Sequence, residues 1–354
     1  MTTPRLEVDL GKVEHNVRTL VGRLAPHGIS VTGVTKAALG SPLVAATMLR
    51  AGATRLGDSR VENVERMRAG GITAAVVLVR SPMLSQVDRV VACVDTSCNT
   101  EVEVVRVLSA AAVDQQRTHG VLLMVELGDL REGILPADLP EVVRAVRGLP
   151  GIELQGIGAN LACQNGVVPD AENMGRLSEL ASSIEGTFGL QLPTVSGGSS
   201  ANLEWALGGA DTGRVDDLRL GESVLLGREP VRRTPIDGLH TDAFTLVAEV
   251  IEAKVKPSVP WGDRGESAFG DVPPIHDRGD GPRAILALGH QDTDPWGLEP
   301  PDGIQVLGAS SDHLVVGSET TPVLGAELRF QPTYGALVRA MTASSVTKVF
   351  TPPD

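Results

Sequence analysis

From Asp9 to about Arg228 the chain alternates short apolar runs with amphipathic stretches. The apolar runs are Val31–Val34, Thr54–Gly57, Ala75–Val79, Val90–Val94, Val121–Glu126, Leu154–Gly158, Leu192–Val195 and Leu218–Leu220. Runs this short, bounded by turn residues and rich in Val, Leu and Ile, predict strands buried on both faces of a parallel sheet. Between them, helical spacing appears near 11–25, 41–51, 59–69, 100–113, 138–147, 170–186 and 200–207. Ser41-Pro42 and Pro169-Asp170 supply helix starts. Eight strands alternating with helices predict an α/β protein built on a (β/α)8 TIM-type barrel, with a doubly wound open sheet as the runner-up.

After about Pro230 the helical periodicity fades. Phe244–Ile251, Ala284–Leu288, Ile304–Leu307, His313–Val316 and Ala326–Phe330 predict a mostly β C-terminal domain. The strand Leu6–Val8 precedes the first barrel helix and is expected to join that second sheet. The expected division is therefore 1–9 (N-terminal strand), 10–236 (barrel) and 237–354 (β domain). A long stretch rich in Pro, Gly and Asp, Lys256–Pro282, reads as a functional loop or a dimer contact.

Composition sharpens this picture in one respect. Among 354 residues there are five Phe, three Trp and one Tyr, so the core must rest on aliphatic side chains. A formal charge of −13 without a Lys/Arg cluster argues against nucleic acid as a partner. No apolar run approaches the roughly 20 residues of a membrane span. Met1–Arg5 leads into a strand without a secretory apolar segment, and Cys93, Cys98 and Cys163 lack CxxC spacing. These features predict a cytoplasmic protein with reduced thiols and no zinc site.

In a barrel of this kind the active site lies at the C-terminal ends of the strands. Those ends here carry Lys36, Asp58-Ser59-Arg60, Arg80, Asp95, Glu126 with Arg131 beyond it, Asn160, Ser196 and Arg219. Lys36 stands out because its neighbours on both sides are apolar, and a desolvated lysine becomes a usable nucleophile toward a carbonyl. A snorkelling lysine at a strand end is the alternative. Two small-residue segments could hold an anion: Ser196-Gly197-Gly198-Ser199-Ser200, and Arg219-Leu220-Gly221-Glu222-Ser223. No Walker A, GxGxxG, HExxH or GxSxG pattern occurs.

The segments Val34-Thr35-Lys36-Ala37, Gly57-Asp58-Ser59-Arg60, Glu126–Ile134, Gly156–Cys163, Val195–Ser199, Leu218–Glu222 and Leu226–Glu229 together resemble the fold-type III pyridoxal-phosphate enzymes. With Lys256–Pro260, Gly289-His290-Gln291-Asp292 and Leu307–His313, the chain is most similar to amino-acid racemases of the ornithine racemase type. The resemblance implies that Lys36 holds pyridoxal 5'-phosphate as a Schiff base and serves as one catalytic base. It implies Arg219 at the ring nitrogen, Asn160 beside the ring, and Ser196, Gly198, Ser199, Gly221 and Glu222 at the remaining cofactor positions. Arg131 matches an arginine facing the substrate. Family members are head-to-tail homodimers in which the partner's β domain completes each site.

Racemisation requires proton transfer on both faces of Cα. Alanine racemase uses a tyrosine that follows a glycine in the β domain, and the matching residue here is His290. The lone tyrosine, Tyr334, lies far from that motif, so the tyrosine base is excluded. His290 is the leading second base, Asp312 is expected to orient it or to act itself, and Cys163 is a third candidate. Metal-dependent members carry a His and Cys two apart, whereas Leu314-Val315 follows His313, so no metal is expected. A basic amino acid such as ornithine is one possible substrate; its side-chain amine would need a carboxylate from among Asp292, Asp294, Glu126 and Glu62. The alternatives are a non-catalytic pyridoxal-phosphate carrier, or a lyase or aldolase on the same scaffold.

Overall fold

A computed structural model describes residues 3–209, 211–267, 269–270 and 277–353. The chain forms two units: one from Met1–Gly11 with Asp242–Asp354, the other from Lys12–Thr241. It opens with β1 (Arg5–Asp9) and α1 (Leu10–Leu24). The larger unit then runs β2 (Ser30–Val34), α2 (Pro42–Arg50), β3 (Arg55–Asp58), α3 (Val61–Ala69), β4 (Val76–Leu78), α4 (Val87–Cys93), β5 (Thr96–Asn99) and α5 (Val102–Asp114). It continues through β6 (His119–Val125), α6 (Leu139–Val146), β7 (Ile152–Ala159), α7 (Ala171–Phe188), β8 (Thr194–Ser199), α8 (Leu203–Leu207), β9 (Asp217–Leu220) and α9 (Glu222–Leu226). Strands β2 to β9 pair in parallel, and β9 returns to β2, closing an eight-stranded barrel. The barrel is thus the fold, and the open-sheet alternative falls.

One expected strand is wrong. Val90–Val94 belongs to α4 and its C-terminal edge, and the fifth strand is Thr96–Asn99. Val87, Val90 and Val91 recur at helical spacing and are buried, so burial against the barrel overrides their β propensity. On the inner face of the barrel, Cys98 packs with Val77, Leu122 and Met124. Burial pushes the Cys98 thiol up to about 11, which makes it an inert filler.

The smaller unit comprises β10 (Phe244–Pro257), β11 (Asp280–Leu286), β12 (Leu298–Glu299), β13 (Ile304–Ala309), β14 (Leu314–Ser318), β15 (Glu327–Pro332), α10 (Tyr334–Thr342) and β16 (Thr347–Thr351). The sheet order is β12-β15-β10-β11-β14-β13, antiparallel throughout. The N-terminal strand β1 pairs antiparallel with β10 and parallel with β16. Arg5 fastens this edge through two bonds to Glu327, at 2.6 and 2.7 Å. Helix α10 and β16 were not expected from the sequence pattern. Of the Lys256–Pro282 stretch, the ends join β10 and β11, while 268 and 271–276 lie outside the described residues. Among the described residues, no helix is long and apolar enough to cross a membrane.

Candidate active site

Lys36 opens the short turn after β2, immediately beyond the strand's C-terminal end. Its amine is mostly withdrawn from solvent, and that burial pulls it below the ordinary lysine range. Cys163 and Asp58 oppose the shift, while Arg131 and Arg219 reinforce it. The preceding residue, Thr35, donates from Oγ1 to Asp58 Oδ2 at 2.8 Å. The other Asp58 oxygen accepts from Asn63 Nδ2 (2.9 Å) and the Arg60 N–H (3.0 Å). A buried carboxylate with every donor supplied from the barrel holds the lysine turn in place.

Arg219 is buried inside β9. Its Nη2 donates to the Ala159 carbonyl at 2.7 Å, and Nη1 donates to Ser196 Oγ. Ser196 in turn donates to Asp217 Oδ2 at 2.5 Å. Ser196 Oγ is thus engaged inside the barrel, between Asp217 on one side and Arg219 on the other. Asn160 follows β7, and its Nδ2 is buried without a hydrogen-bond partner. This unsatisfied buried donor follows directly on Ala159, whose carbonyl holds Arg219, and a buried donor without a protein partner suits a hydrogen-bonding ligand.

Gly198 and Ser199 end β8. Gly198 has φ of +148°, and a Cβ there would lie 2.1 Å from Asn202 Oδ1, so only glycine fits. Ser199 Oγ accepts from the Ala201 N–H at 3.3 Å and keeps its own proton free to donate elsewhere. Ser200, the last residue of the first small-residue segment, is 2% exposed, and its Oγ takes the N–H groups of Gly221 (3.3 Å) and Ser223 (3.1 Å). It joins the two small-residue segments into one loop cluster at the start of α9. Glu222 turns its carboxylate to Arg233. Burial raises its pKa despite that partner, so it is bound to an arginine and not aimed at a phosphate.

Arg131 and Cys163 sit on loops after β6 and β7. Asp129, 1% exposed, gathers the backbone N–H groups of Cys163 (3.1 Å), Gln164 (2.8 Å), Asn165 (3.1 Å) and Val167 (3.3 Å). Burial alone would raise its pKa, yet these four donors hold it below the ordinary carboxylate value. Arg131 pairs with Glu132. Among the described residues, three of the five non-glycine residues with positive φ lie beside candidates: Leu39 (52°) near Lys36, Leu130 (51°) before Arg131, and Ala162 (58°) before Cys163. Each such residue costs about 1–3 kcal/mol, and strain of this kind gathers at functional sites.

In the smaller unit, His290 and Asp312 lie on neighbouring turns. The His290 N–H bonds Ser310 O at 3.0 Å and the Gln291 N–H bonds Ser311 O at 2.9 Å. A Cβ on Gly289 would meet Asp312 N at 2.4 Å, which explains the glycine before the histidine. The His290 ring packs on Phe269, with centroids 4.2 Å apart. Asp312 does not orient His290 through its carboxylate, which accepts from His313 Nδ1 at 2.8 Å instead.

The four carboxylates considered for a basic side chain separate clearly. Asp292 is locked by the Gly289 N–H (2.8 Å) and Ser345 Oγ (2.5 Å). Glu126 accepts from the Gly128 and Leu130 N–H groups. Glu62 pairs with Arg89. Asp294 is half-buried, and among the described residues no side-chain hydrogen bond or ion pair engages its carboxylate. Among the described residues no cluster of three metal-ligating side chains occurs.

Residues 8–229 match the model of the alanine racemase N-terminal domain family. The chain belongs to the alanine racemase family. Within it, this chain is a pyridoxal-phosphate-dependent amino-acid racemase. It is 36% identical over 350 residues to an ornithine racemase from Acetoanaerobium sticklandii, spanning 98% of this chain and 99% of that one. It is 38% identical over 355 residues to a lysine racemase from Thermotoga maritima, spanning 99% of each. In fold it is similar to the alanine racemase from Streptomyces coelicolor A3(2), with a TM-score of 0.75 at 22% identity over 98% of this chain and 97% of that one. A D-threonine aldolase from Filomicrobium marinum shares the fold at the same TM-score and 19% identity, over 97% of this chain and 89% of that one. The relatives matched along their whole length are racemases, so the carrier and lyase readings are not favoured.

Proposed function

We propose that the protein interconverts the L and D forms of a basic amino acid, ornithine or lysine, in a two-base reaction that uses Lys36 and His290. The observation that carries this reading is the desolvated Lys36 amine at a barrel strand end, within electrostatic reach of Arg131 and Arg219. The full-length similarity to an ornithine and a lysine racemase supports the substrate class, and the unpaired Asp294 is the candidate partner for a side-chain amine.

The residues present suit pyridoxal phosphate. Lys36 would hold its aldehyde carbon, Arg219 its ring nitrogen, and the unpartnered Asn160 Nδ2 a ring substituent. Gly198, Ser199, Ser200 and Gly221 would close around the phosphate, with Glu222 fixing the loop through Arg233. When bound, the cofactor draws electrons from the substrate's Cα and acidifies that C–H bond. Lys36, its amine pulled toward neutrality by burial, takes or returns the proton on one face. His290 serves the other face, since an imidazole can both take up and release a proton. Arg131 holds the substrate carboxylate. Because His290 lies in the smaller unit, we assign the working form to a head-to-tail homodimer, and the three free thiols suit a cytoplasmic setting.

The test is a screen of L- and D-amino acids in deuterium oxide. Exchange at Cα of ornithine and lysine, approached from both enantiomers, is expected. Exchange confined to alanine or to acidic amino acids would reject the substrate class.

A further inference from the structure

The inner wall of a (β/α)8 barrel is ordinarily packed with branched apolar side chains. On the Cys98 side this barrel follows that rule. On the opposite side it does not: Thr32 of β2, Ser196 of β8, and Asp217 and Arg219 of β9 are all buried polar groups. Asp217 is 2% exposed. Its nearest cation, Arg55, stands 4.0 Å away at Nε, too far for a good ion pair. Two hydroxyl donors hold it instead, Thr32 Oγ1 at 2.6 Å and Ser196 Oγ at 2.5 Å.

A buried carboxylate is costly, and nothing in the strand pairing requires one at this position. Its effect is directional. A serine hydroxyl has a single proton, and Asp217 claims it, so the lone pairs of Ser196 must face outward to Arg219 Nη1. The Ala159 carbonyl takes Nη2 at 2.7 Å. Two acceptors, one on each terminal nitrogen, fix the guanidinium plane and leave its remaining N–H groups available.

We propose that Asp217 is a positioning residue: by committing the Ser196 proton, it makes Ser196 an acceptor that holds Arg219 in the orientation the cofactor's ring nitrogen meets. This rests on the assignment of Arg219 to the ring nitrogen made above. Asp217→Asn reverses the logic, because an amide can donate to Ser196 and free the serine proton to point at the guanidinium. Ser196→Ala removes the link without touching the buried carboxylate's strand.

The experiment compares the wild type, D217N, S196A, the double variant and R219K, each saturated with pyridoxal phosphate and without substrate. The readout is the absorption band of the bound cofactor, followed by kcat and KM. Both single variants are expected to move the band in the same direction, and the double variant no further than either alone. Their kcat should fall by about 10- to 100-fold, as for a group displaced by a fraction of an ångström, with KM within about twofold. An unmoved band in D217N and S196A, alongside a moved band in R219K, overturns the proposal while leaving Arg219 at the ring nitrogen. An unmoved band in R219K overturns both. If D217N does not fold, S196A alone decides.

Discussion

Asp129→Asn should loosen one active-site loop while leaving the barrel intact. The carboxylate accepts two N–H groups on each oxygen, from Cys163 and Gln164 on one and from Asn165 and Val167 on the other. Asparagine keeps one oxygen and turns an NH2 toward the other pair, so two charge-assisted bonds are lost. Such bonds contribute about 1.5–3 kcal/mol each. The released N–H groups lie on a loop whose residues 163–166 are exposed, so water recovers part of the loss, and a net cost of about 2 kcal/mol remains. That corresponds to about a 30-fold rise in the open population of the loop.

Hydrogen exchange followed by mass spectrometry over 160–168 reads this directly, since local opening governs exchange there. Peptides from β6 and β7 serve as internal controls. Acid should mimic the substitution. The Asp129 pKa is lower folded than unfolded, so its contribution is complete above the unfolded value of about 3.9 and disappears as pH falls through the lower folded value. Exchange at Cys163–Val167 within twofold of the wild type at pH 7 would refute the clamp. A matching rise across the whole barrel would refute its local character.

Lys36→Ala should abolish racemisation and the covalent trapping of pyridoxal phosphate by borohydride; trapping at another lysine would displace Lys36 from its role. His290→Ala should lower kcat by about 10²- to 10⁴-fold, whereas near-normal turnover in both directions would move the second base elsewhere. Mixing the inactive K36A and H290A proteins should restore activity if sites are shared between subunits, and no recovery in a demonstrated mixed dimer would argue against the head-to-tail form. His119 and Asp216 should titrate against each other. Burial lowers His119 to about 4, so between pH 4 and 6.5 the unfolded chain binds the extra proton and stability falls on acidification, by up to about 3 kcal/mol. Burial raises Asp216 to about 6, so across pH 4 to 6 the folded chain binds the extra proton and stability rises on acidification. H119Q should therefore gain stability relative to wild type as pH falls from 6.5 to 4.5, and D216N should lose it; parallel urea midpoints for all three proteins would refute the pairing.

The barrel was readable from the sequence because seven of its strands are apolar runs between helical patterns. Thr96–Asn99 was not, because a strand of Thr, Ser, Cys and Asn carries no apolar signal and the valines just before it do. Lys36 was legible as a charge set among apolar neighbours. Asp129 and Asp217 were not: along a sequence, a carboxylate that gathers four N–H groups looks the same as one facing water. Ser196 was legible as a polar strand residue but not as a link, since its partners lie 21 and 23 residues away in sequence. The bond between Asp312 and its neighbour His313 was not legible either, since adjacency in sequence does not say which way two side chains turn.

The pairing of β1 with β16 also constrains how the protein is made. Arg5–Asp9 lies alongside Thr347–Thr351, so a strand made before the barrel finds one of its sheet neighbours only after the whole barrel has left the ribosome. The barrel, whose strands all fall between Ser30 and Leu220, has every residue it needs long before that. Domains emerging first tend to fold first, so the barrel should close on the nascent chain while the first strand stays unpaired. A chain stalled after the barrel would carry an intact Lys36 turn and an unpaired first strand, and the emergence of β16 would be the event that completes its pairing.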